Sequence, residues 1–403
     1  MVGRAQMERR LKAAPWLVRS EMQAIFSLLD GEALRTRAVG GIVRDTLLGI
    51  AREASDIDLA TEIGPREVMA RAQKQGIAAY PTGIEHGTVT LRLNGLVCEV
   101  TTLREDVETD GRHAVVKFGT DWRCDAERRD FTINALYADM GGALFDPLNG
   151  GRDLVEPKIR FIGDPDQRIA EDRLRVYRFF RFSASHGGEK FDQAGLEATK
   201  RAAGSLGALS AERVGSEMRR LLGLPRVART VRTMNEAGIV DFDDATLERL
   251  AGYGVKARRP HFPARLALIL VAVEPEKLQT LWRLSNDEVE RAGAILAAAR
   301  LLEDFRVHEV AYRYPEALAD SVDVATVLAG WSDAGKSAVL DQLRKIGVNK
   351  FPVGGTDLIG LGFAPGPGLG VELQRLERLW IQSAFALDRE ALLELVGPRP
   401  PGP

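Results

Sequence analysis

Two aspartates stand two positions apart in the string Ser55-Asp56-Ile57-Asp58-Leu59-Ala60-Thr61. In a strand, residues i and i+2 share a face. Asp56 and Asp58 therefore project together while Ile57 and Leu59 turn toward a core. Adjacent carboxylates repel each other, and Mg2+ relieves that repulsion while keeping coordination positions open for substrate phosphates. A solvated edge strand with chance acidic spacing carries the same pattern, so the pair needs company. Gly40-Gly41-Ile42-Val43-Arg44-Asp45 supplies it. Glycines before a helix let backbone N–H groups approach an anion that the helix N-terminus favours electrostatically. Arg44, one turn in, adds a charge-assisted contact to phosphate. Together the two strings describe a phosphate cradle beside a metal site.

A third carboxylate comes from a hairpin. Thr88 to Leu93 and Leu96 to Leu103 flank Asn94-Gly95, a strong two-residue turn signal. Leu96, Cys98 and Val100 share one face. Glu99 lies on the other, with Thr90 and Arg92 as cross-strand neighbours. Glu99 either completes a carboxylate trio or acts as general base toward an attacking hydroxyl, or it is an ordinary exposed glutamate. Farther on, Arg128-Arg129-Asp130-Phe131-Thr132-Ile133-Asn134 combines two arginines, an aspartate and an asparagine able to hold triphosphate and ribose.

The string Glu171-Asp172-Arg173-Leu174-Arg175-Val176-Tyr177-Arg178-Phe179-Phe180-Arg181-Phe182 reads as one helix. Asp172 and Arg175 are then i,i+3 neighbours on one face, and Arg178 and Arg181 continue a slowly winding row. Leu174, Val176, Phe179 and Phe180 form the packing face. Asp172 and Arg175 either bridge each other or read a base. Cytosine and adenine each set an exocyclic amino donor beside a ring-nitrogen acceptor, which a carboxylate and a guanidinium match. Uracil and guanine reverse that order, so a fixed Asp–Arg pair disfavours them by stranding polar groups.

These side chains need a scaffold. The 403 residues allow two to four domains. With 45% hydrophobic and 28% charged residues, the chain is an ordinary globular sequence. Strand and helix signals mix from about 36 to 140, and the pattern is helical almost throughout from about 165. The fold class expected is α+β, a mixed sheet with helices followed by all-α parts. The longest apolar run, Leu266 to Val273, is far short of the roughly 20 residues that span a bilayer, so no membrane association is expected. No apolar stretch follows Arg4, Arg9, Arg10 and Lys12 to make a secretory signal. Cys98 and Cys124 lack metal-ligand spacing and cannot build a disulfide framework. The compartment expected is a reducing cytoplasm. A net charge of −2 does not advertise nucleic-acid binding, although it can hide a polarised surface. One basic cluster, Lys256, Arg258, Arg259 and Arg265, is a candidate for sequence-independent phosphate contacts.

Taken in order, these strings resemble the class II tRNA nucleotidyltransferases, that is, the CCA-adding enzymes and their bacterial poly(A) polymerase relatives in the polymerase beta-like superfamily. The resemblance runs from about residue 36 to 222. It includes Asp146-Pro147, Gly150-Gly151-Arg152-Asp153-Leu154 and Leu209-Ser210-Ala211-Glu212-Arg213. Gly355 to Gly362 and Pro365 to Gly370 are similar to the family's tail. The resemblance implies a nucleotidyltransferase head at 34–141 after a helical lead-in at 1–33. It implies a neck at 142–222, a helical body at 223–320 and a tail at 321–403, the last two binding tRNA. It implies metal ligation by Asp56 and Asp58, with two Mg2+ ions during catalysis and Glu99 as a further catalytic carboxylate. It implies triphosphate and ribose contacts from Gly40, Gly41, Arg44, Asp45, Arg128, Arg129, Asp130 and Asn134. Base selection falls to Asp172 and Arg175, with Arg178 and Arg181 nearby. The segment Arg104 to Asp121, with Asp110-Gly111-Arg112 at its tip, resembles the family's mobile loop. Some bacterial relatives append a His-Asp phosphohydrolase domain. The five histidines here include no His-Asp dipeptide, so none is expected.

The activity implied is addition of C, C and A to the 3′ end of tRNA from CTP and ATP, with release of pyrophosphate. A poly(A) polymerase on the same scaffold is the alternative activity. An inactive RNA-binding module is the alternative of another class, and the intact Asp56, Asp58, Asp172 and Arg175 argue against it.

Overall fold

The computed structural model describes residues 4–50, 57–109, 114–348 and 350–397. It divides into two compact units, residues 1–221 with 229–241 and residues 222–228 with 242–403.

The first unit holds nine strands among the described residues. They are β1 (Thr36–Val39), β2 (Ile57–Thr61), β3 (Ala78–Gly83), β4 (Thr88–Leu93), β5 (Leu96–Thr102), β6 (Arg104–Thr109), β7 (Ala114–Phe118), β8 (Tyr137–Ala138) and β9 (Leu144–Phe145). Seven form one mixed sheet in the order β3-β4-β5-β2-β1-β8-β9. Only β2 and β5 are parallel, and their register sets Asp58 opposite Glu99. The alternation expected for β2 and β5 holds. Ile57, Leu59, Cys98 and Val100 are buried, and Asp58 and Glu99 are exposed. The hairpin forms as its turn residues dictate, with Leu93 opposite Leu96 and Asn94 and Gly95 both at positive φ, 46° and 80°. Thr90 pairs with Glu99, while Arg92 pairs with Val97.

The lead-in is helical: α1 (Arg4–Lys12), α2 (Pro15–Val18) and α3 (Ser20–Leu28). It is built into the head core. Leu11, Met22, Ile25 and Phe26 are fully buried, and Trp16 donates to Thr46 Oγ1 at 2.9 Å on α4 (Gly41–Leu48). The segment expected as a loop at 104–121 is instead a two-stranded antiparallel ribbon, β6 with β7. Its tip, Asp110-Gly111-Arg112, lies outside the described residues. Helices α5 (Pro65–Lys74), α6 (Trp122–Glu127) and α7 (Gly150–Val155) follow in the chain. The Asp146 and Gly150-Gly151 motif is structural: the Asp146 carboxylate accepts from the N–H groups of Gly150 and Gly151 at 2.8 and 2.9 Å. A Cβ at Gly150 would come within 2.1 Å of the Thr132 carbonyl oxygen, so only glycine fits there.

The expected single helix across 171–182 is broken. Helix α8 (Pro165–Glu171) ends at Asp172, whose backbone is extended, and α9 (Arg175–Ser185) restarts after Leu174. The packing face expected for this stretch holds, with Val176, Phe179 and Phe180 fully buried. Phe131, Phe161, Phe179 and Phe182 join it in an aromatic cluster whose ring centroids lie 4.9 to 6.4 Å apart. This cluster binds α9 to the segment after α6 and fixes the arginines on its rim. Helices α10 (Gln193–Ala202), α11 (Ala211–Leu222) and α12 (Ala228–Glu236) complete the unit.

The second unit is helical. Its helices Asp244–Lys256, Phe262–Ile269, Asn286–Glu303 and Leu318–Leu328 bury Leu250, Tyr253, Leu266, Ile295, Leu302 and Val324. A further core of Leu358, Leu376, Trp380 and Leu392 closes the C-terminal part. The Gly355 to Gly362 motif begins a short helix there, held by Asp357 accepting from the Gly354 N–H at 2.8 Å.

Candidate active site

The active-site candidate is a cleft of about 470 Å3 in the first unit. Its floor comes from the head, with Gly40, Gly41, Arg44 and Asp58. Arg128, Arg129, Asp130 and Asn134 come from the segment after α6. Asp172, Arg175, Arg178, Arg181 and Phe182 come from the end of α8 and from α9, and Arg220 from α11. The strings singled out in the sequence thus meet at one place. Asp56 lies outside the described residues.

The glycine turn is forced by geometry. Gly40 sits at φ 76° and ψ −130°, in the region that disfavours a side chain, and it opens α4. A Cβ there would stand 3.9 Å from Asp58 Oδ2, so the turn passes directly beside the carboxylate. Asp58 and Glu99 sit opposite each other on neighbouring parallel strands, about 4.8 Å apart in the pairing direction, with both side chains on the exposed face. Burial, with the charge of Asp58 added, pushes the Cys98 thiol up to about 12. Two hard oxygen donors beside a glycine turn at the start of a helix fit a divalent cation. Among the described residues no group of three or more such ligands gathers.

Seven arginines against three aspartates make the rest of the cleft a receptor for a polyanion. Carboxylates set behind the arginines hold them. Arg44 donates from Nε to Asp45 Oδ1 at 2.8 Å and from Nη1 to Asn134 Oδ1 at 2.6 Å. Arg128 and Arg129 both pair with Asp125, which is fully buried, at 2.7 and 3.0 Å. Arg178 places Nε and Nη2 on Asp130 Oδ2 at 2.8 and 2.6 Å. Asp130 Oδ1 accepts from Asn134 Nδ2 at 3.0 Å and from the Phe131 N–H. Asp130 lines the cleft and also braces Arg178 and Asn134. Arg181 donates to Glu217 at 2.5 Å. Burial, with Arg178 and Arg220 adding to it, pulls the Arg181 guanidinium down despite Glu217. Three guanidinia, Arg44, Arg178 and Arg181, stand over the Phe182 ring at 5.1, 5.4 and 4.1 Å.

Asp172 and Arg175 both line the cleft, but they are not i,i+3 neighbours on one helix, because the helix breaks between them. Each has its own support. Asp172 accepts from Arg213 Nη2 at 2.7 Å and from the Leu174 N–H at 3.1 Å. Arg175 donates to Glu171 at 2.6 Å and to the Arg168 carbonyl at 2.9 Å. The bridge between them considered from sequence is replaced by these two separate pairs.

Sequence reasoning named Arg213 only within the Leu209 to Arg213 string and passed over Glu217 and Arg220. The i, i+4, i+7 spacing of all three on α11 was the available signal. His186, whose imidazole joins Asp45 at 3.1 Å, carried no signal at all. In the second unit the basic cluster separates. Arg258 and Arg259 are exposed, and Lys256 pairs with Asp333 at 2.8 Å. Arg265 is fully buried. It donates to the carbonyls of Leu222, Leu224 and Pro225 at 2.5, 2.6 and 3.0 Å, so it is no part of a surface for RNA.

A glycine turn at the end of an interior strand of a mixed sheet, facing strand-borne carboxylates beside an arginine-lined cleft, defines a nucleotidyltransferase. Residues 36–160 match the Poly A polymerase head domain. The chain is 32% identical to the mitochondrial CCA tRNA nucleotidyltransferase 1 of Danio rerio over 403 residues, covering 96% of this chain and 93% of that protein. It is 32% identical to a CCA-adding enzyme of Streptococcus pyogenes, covering 87% and 89% of the two chains. The crystal structure of the Bacillus stearothermophilus CCA-adding enzyme in complex with CTP superposes with a TM-score of 0.76 at 26% identity, covering 94% of this chain and 97% of that one. The chain belongs to the CCA tRNA nucleotidyltransferase family. Nucleotidyltransferases of this family are metal-dependent. Among the described residues no helix is long and apolar enough to cross a membrane.

Proposed function

We propose that this protein adds C, C and A to the 3′ end of tRNA from CTP and ATP, releasing pyrophosphate. The observation that supports it best is the layout of the cleft, with carboxylates and a glycine turn at one end and arginines with a separately braced Asp172 and Arg175 at the other. The RNA 3′ hydroxyl attacks the α-phosphorus, its oxygen forms the new phosphodiester, and the bond to the β-phosphate oxygen breaks. Asp56 and Asp58 would hold Mg2+, two ions during catalysis, with Glu99 the adjoining carboxylate. The chemistry such cations supply is acidification of the hydroxyl and neutralisation of phosphate charge.

The chain's own residues do the rest by positioning and electrostatics. Gly40 and Gly41 admit the triphosphate to the start of α4. Arg44, Arg128 and Arg129 take phosphate and ribose oxygens, with Asp45 and Asn134 orienting Arg44. Asp172 accepts the exocyclic amine of C or A and Arg175 donates to the adjacent ring nitrogen, with Arg178 and Arg181 completing the wall. The domain limits that go with this reading are a head at 34–141, a neck at 142–222, a body at 223–320 and a tail at 321–403. Lys256, Arg258 and Arg259 contact the tRNA backbone. The compartment is the cytoplasm, in keeping with a chain of only two cysteines, Cys98 and Cys124.

The test is tRNA ending at the discriminator base, given CTP with ATP and then ATP alone. The expected products are three nucleotides longer in the first case, with little extension in the second. Long adenylate ladders from ATP alone would assign the protein to the poly(A) polymerases instead. No incorporation at all would leave an RNA-binding module.

A further inference from the structure

His186 stands just beyond the last turn of α9, behind the cleft. Its Nε2 lies 3.1 Å from Asp45 Oδ1, and its Nδ1 lies 2.6 Å from Ser185 Oγ. The proton positions follow from the partners. Burial alone would raise the Asp45 carboxyl, but the His186 hydrogen bond and the Arg44 charge outweigh it and bring Asp45 down to about 2. An ionised carboxylate only accepts, so Nε2 carries the hydrogen and donates it. Nδ1 is then an acceptor, filled by the Ser185 hydroxyl. Burial, together with the charges of Arg44 and Arg181, holds the imidazole below its ordinary range against the pull of Asp45. The ring is neutral, largely buried and satisfied at both nitrogens.

The same oxygen, Asp45 Oδ1, also accepts from Arg44 Nε. Arg44 has three supports: Asp45, Asn134 and the face of Phe182. His186 touches two of them, because its ring also packs on Phe182 with centroids 5.7 Å apart. Asp45 is on α4 in the head, and Phe182 and His186 belong to α9 and its end, 141 residues later in the chain. A carboxylate adjacent to its arginine in sequence can rotate with it as a unit. A second, fixed donor on the same oxygen removes that freedom.

We propose that His186 is a positioning residue for nucleotide binding. It fixes Asp45 and, through it, aims the Arg44 guanidinium at the substrate phosphates. It thereby joins the phosphate-binding helix of the head to the arginine-bearing helix of the neck. This rests on the reading of the cleft as a CTP and ATP site. Phosphate contacts are common to both nucleotides, so His186 acts on both equally and leaves base choice unchanged.

Two substitutions that fill the space decide it. His186→Phe keeps a ring against Phe182 but cannot donate to Asp45, whereas the side-chain amide of His186→Gln can. We expect His186→Phe to raise KM about tenfold for both CTP and ATP, with kcat within about twofold. Equilibrium binding of CTP without tRNA weakens by the same factor. His186→Gln stays within about threefold of the parent protein. An unchanged KM and CTP affinity in His186→Phe overturns the proposal. Equal losses in both variants overturn it too, because ring volume and not the hydrogen bond would then be at work. So does a loss confined to one nucleotide. Transfer by the parent protein is scored separately. If it binds CTP but extends no tRNA, the proposed function fails while the binding comparison still judges His186.

Discussion

Residues 128–181 and residues 256–265 are both rich in arginine, and they use it in opposite ways. In the first stretch every arginine of the cleft with a resolved side-chain partner is backed by a carboxylate set away from the ligand space: Asp125 behind Arg128 and Arg129, Asp130 behind Arg178, Glu217 behind Arg181. The guanidinia are immobilised and still line the cleft. In the second stretch Arg265 spends its charge on three backbone carbonyls and is fully buried, while Arg258 and Arg259 stay exposed. A preorganised anion site needs its counter-charges on the protein side. Basic residues clustered in sequence do not reveal whether they have them.

Removing the carboxylate at the head end of the same cleft has the largest effect. Asp58→Ala should lower kcat by about 10³-fold, the loss of several kcal/mol of charge stabilisation. Its side chain is exposed, so far-UV circular dichroism and the thermal midpoint should stay unchanged. Near-normal transfer would show that Asp58 is no part of the chemistry. The contrasting substitution is Arg265→Ala. It leaves three carbonyls short of a buried donor and opens a cavity beside Tyr253. We expect a loss of about 3 kcal/mol in stability, read by urea unfolding. KM for tRNA, measured well below the unfolding transition, should not move. A raised KM at full stability would return Arg265 to the RNA surface.

These two substitutions also mark how far the sequence could be read. The Gly40 turn, the β2 and β5 alternation and the Asn94-Gly95 hairpin follow from local rules, and each was foreseen. So was the gathering of the Arg128 string with Asp172, Arg175, Arg178 and Arg181, through a family resemblance that orders them along the chain. The helix break at Asp172 was not foreseen. Asp172 is a capping residue type, and its carboxylate accepts from the Leu174 N–H two residues on as well as from Arg213, 41 residues away. Arg265 was misread because its partners are carbonyls that no sequence pattern exposes. The 104–118 ribbon was foreseen only as a loop, since its strands pair only with each other.

The acid limb of stability sharpens the comparison, since the cleft stores charge in pairs. Asp45 at about 2 in the folded protein, against 3.8 as its ordinary value, contributes about 2 kcal/mol. That contribution is complete above about pH 4 and is lost as pH falls toward 2. His186 is depressed, so the unfolded chain binds its proton first and stability already erodes below about pH 6.5. Thermal midpoints from pH 8 to pH 3 should therefore fall in two steps. The first should be smaller in His186→Phe. An identical profile in both proteins would remove His186 from the titration.

Base choice should shift by less. Asp172→Ala is expected to cost about tenfold in discrimination of CTP and ATP over UTP and GTP, with triphosphate affinity changed far less. Arg213→Ala should produce part of the same loss, because it frees the carboxylate without removing it. Unchanged relative kcat/KM across the four nucleotides would refute the base-reading role.

The smallest effect belongs to the exposed pair of the second region. Arg258 and Arg259 precede Pro260 in the connection between the helices Asp244–Lys256 and Phe262–Ile269, in a unit where Lys256 is already paired with Asp333. Among the described residues no carboxylate stands behind Arg258 or Arg259 in the manner of Asp125 or Asp130. A phosphate contact from such a side chain is gained mainly by release of counterions and carries no sequence information. Arg258→Ala or Arg259→Ala should therefore raise KM for tRNA only about twofold to fivefold at moderate salt and leave kcat and KM for CTP alone. The informative quantity is the salt slope. Each substitution should make the dependence of log affinity for tRNA on log salt shallower by roughly one, equally for every tRNA tested. Arg178→Ala, which removes a guanidinium fixed by Asp130, should instead raise KM for the nucleotide and leave that slope as it was. If the two classes of variant exchanged these signatures, the division of labour between the braced arginines of the cleft and the exposed arginines of the helical unit would be wrong.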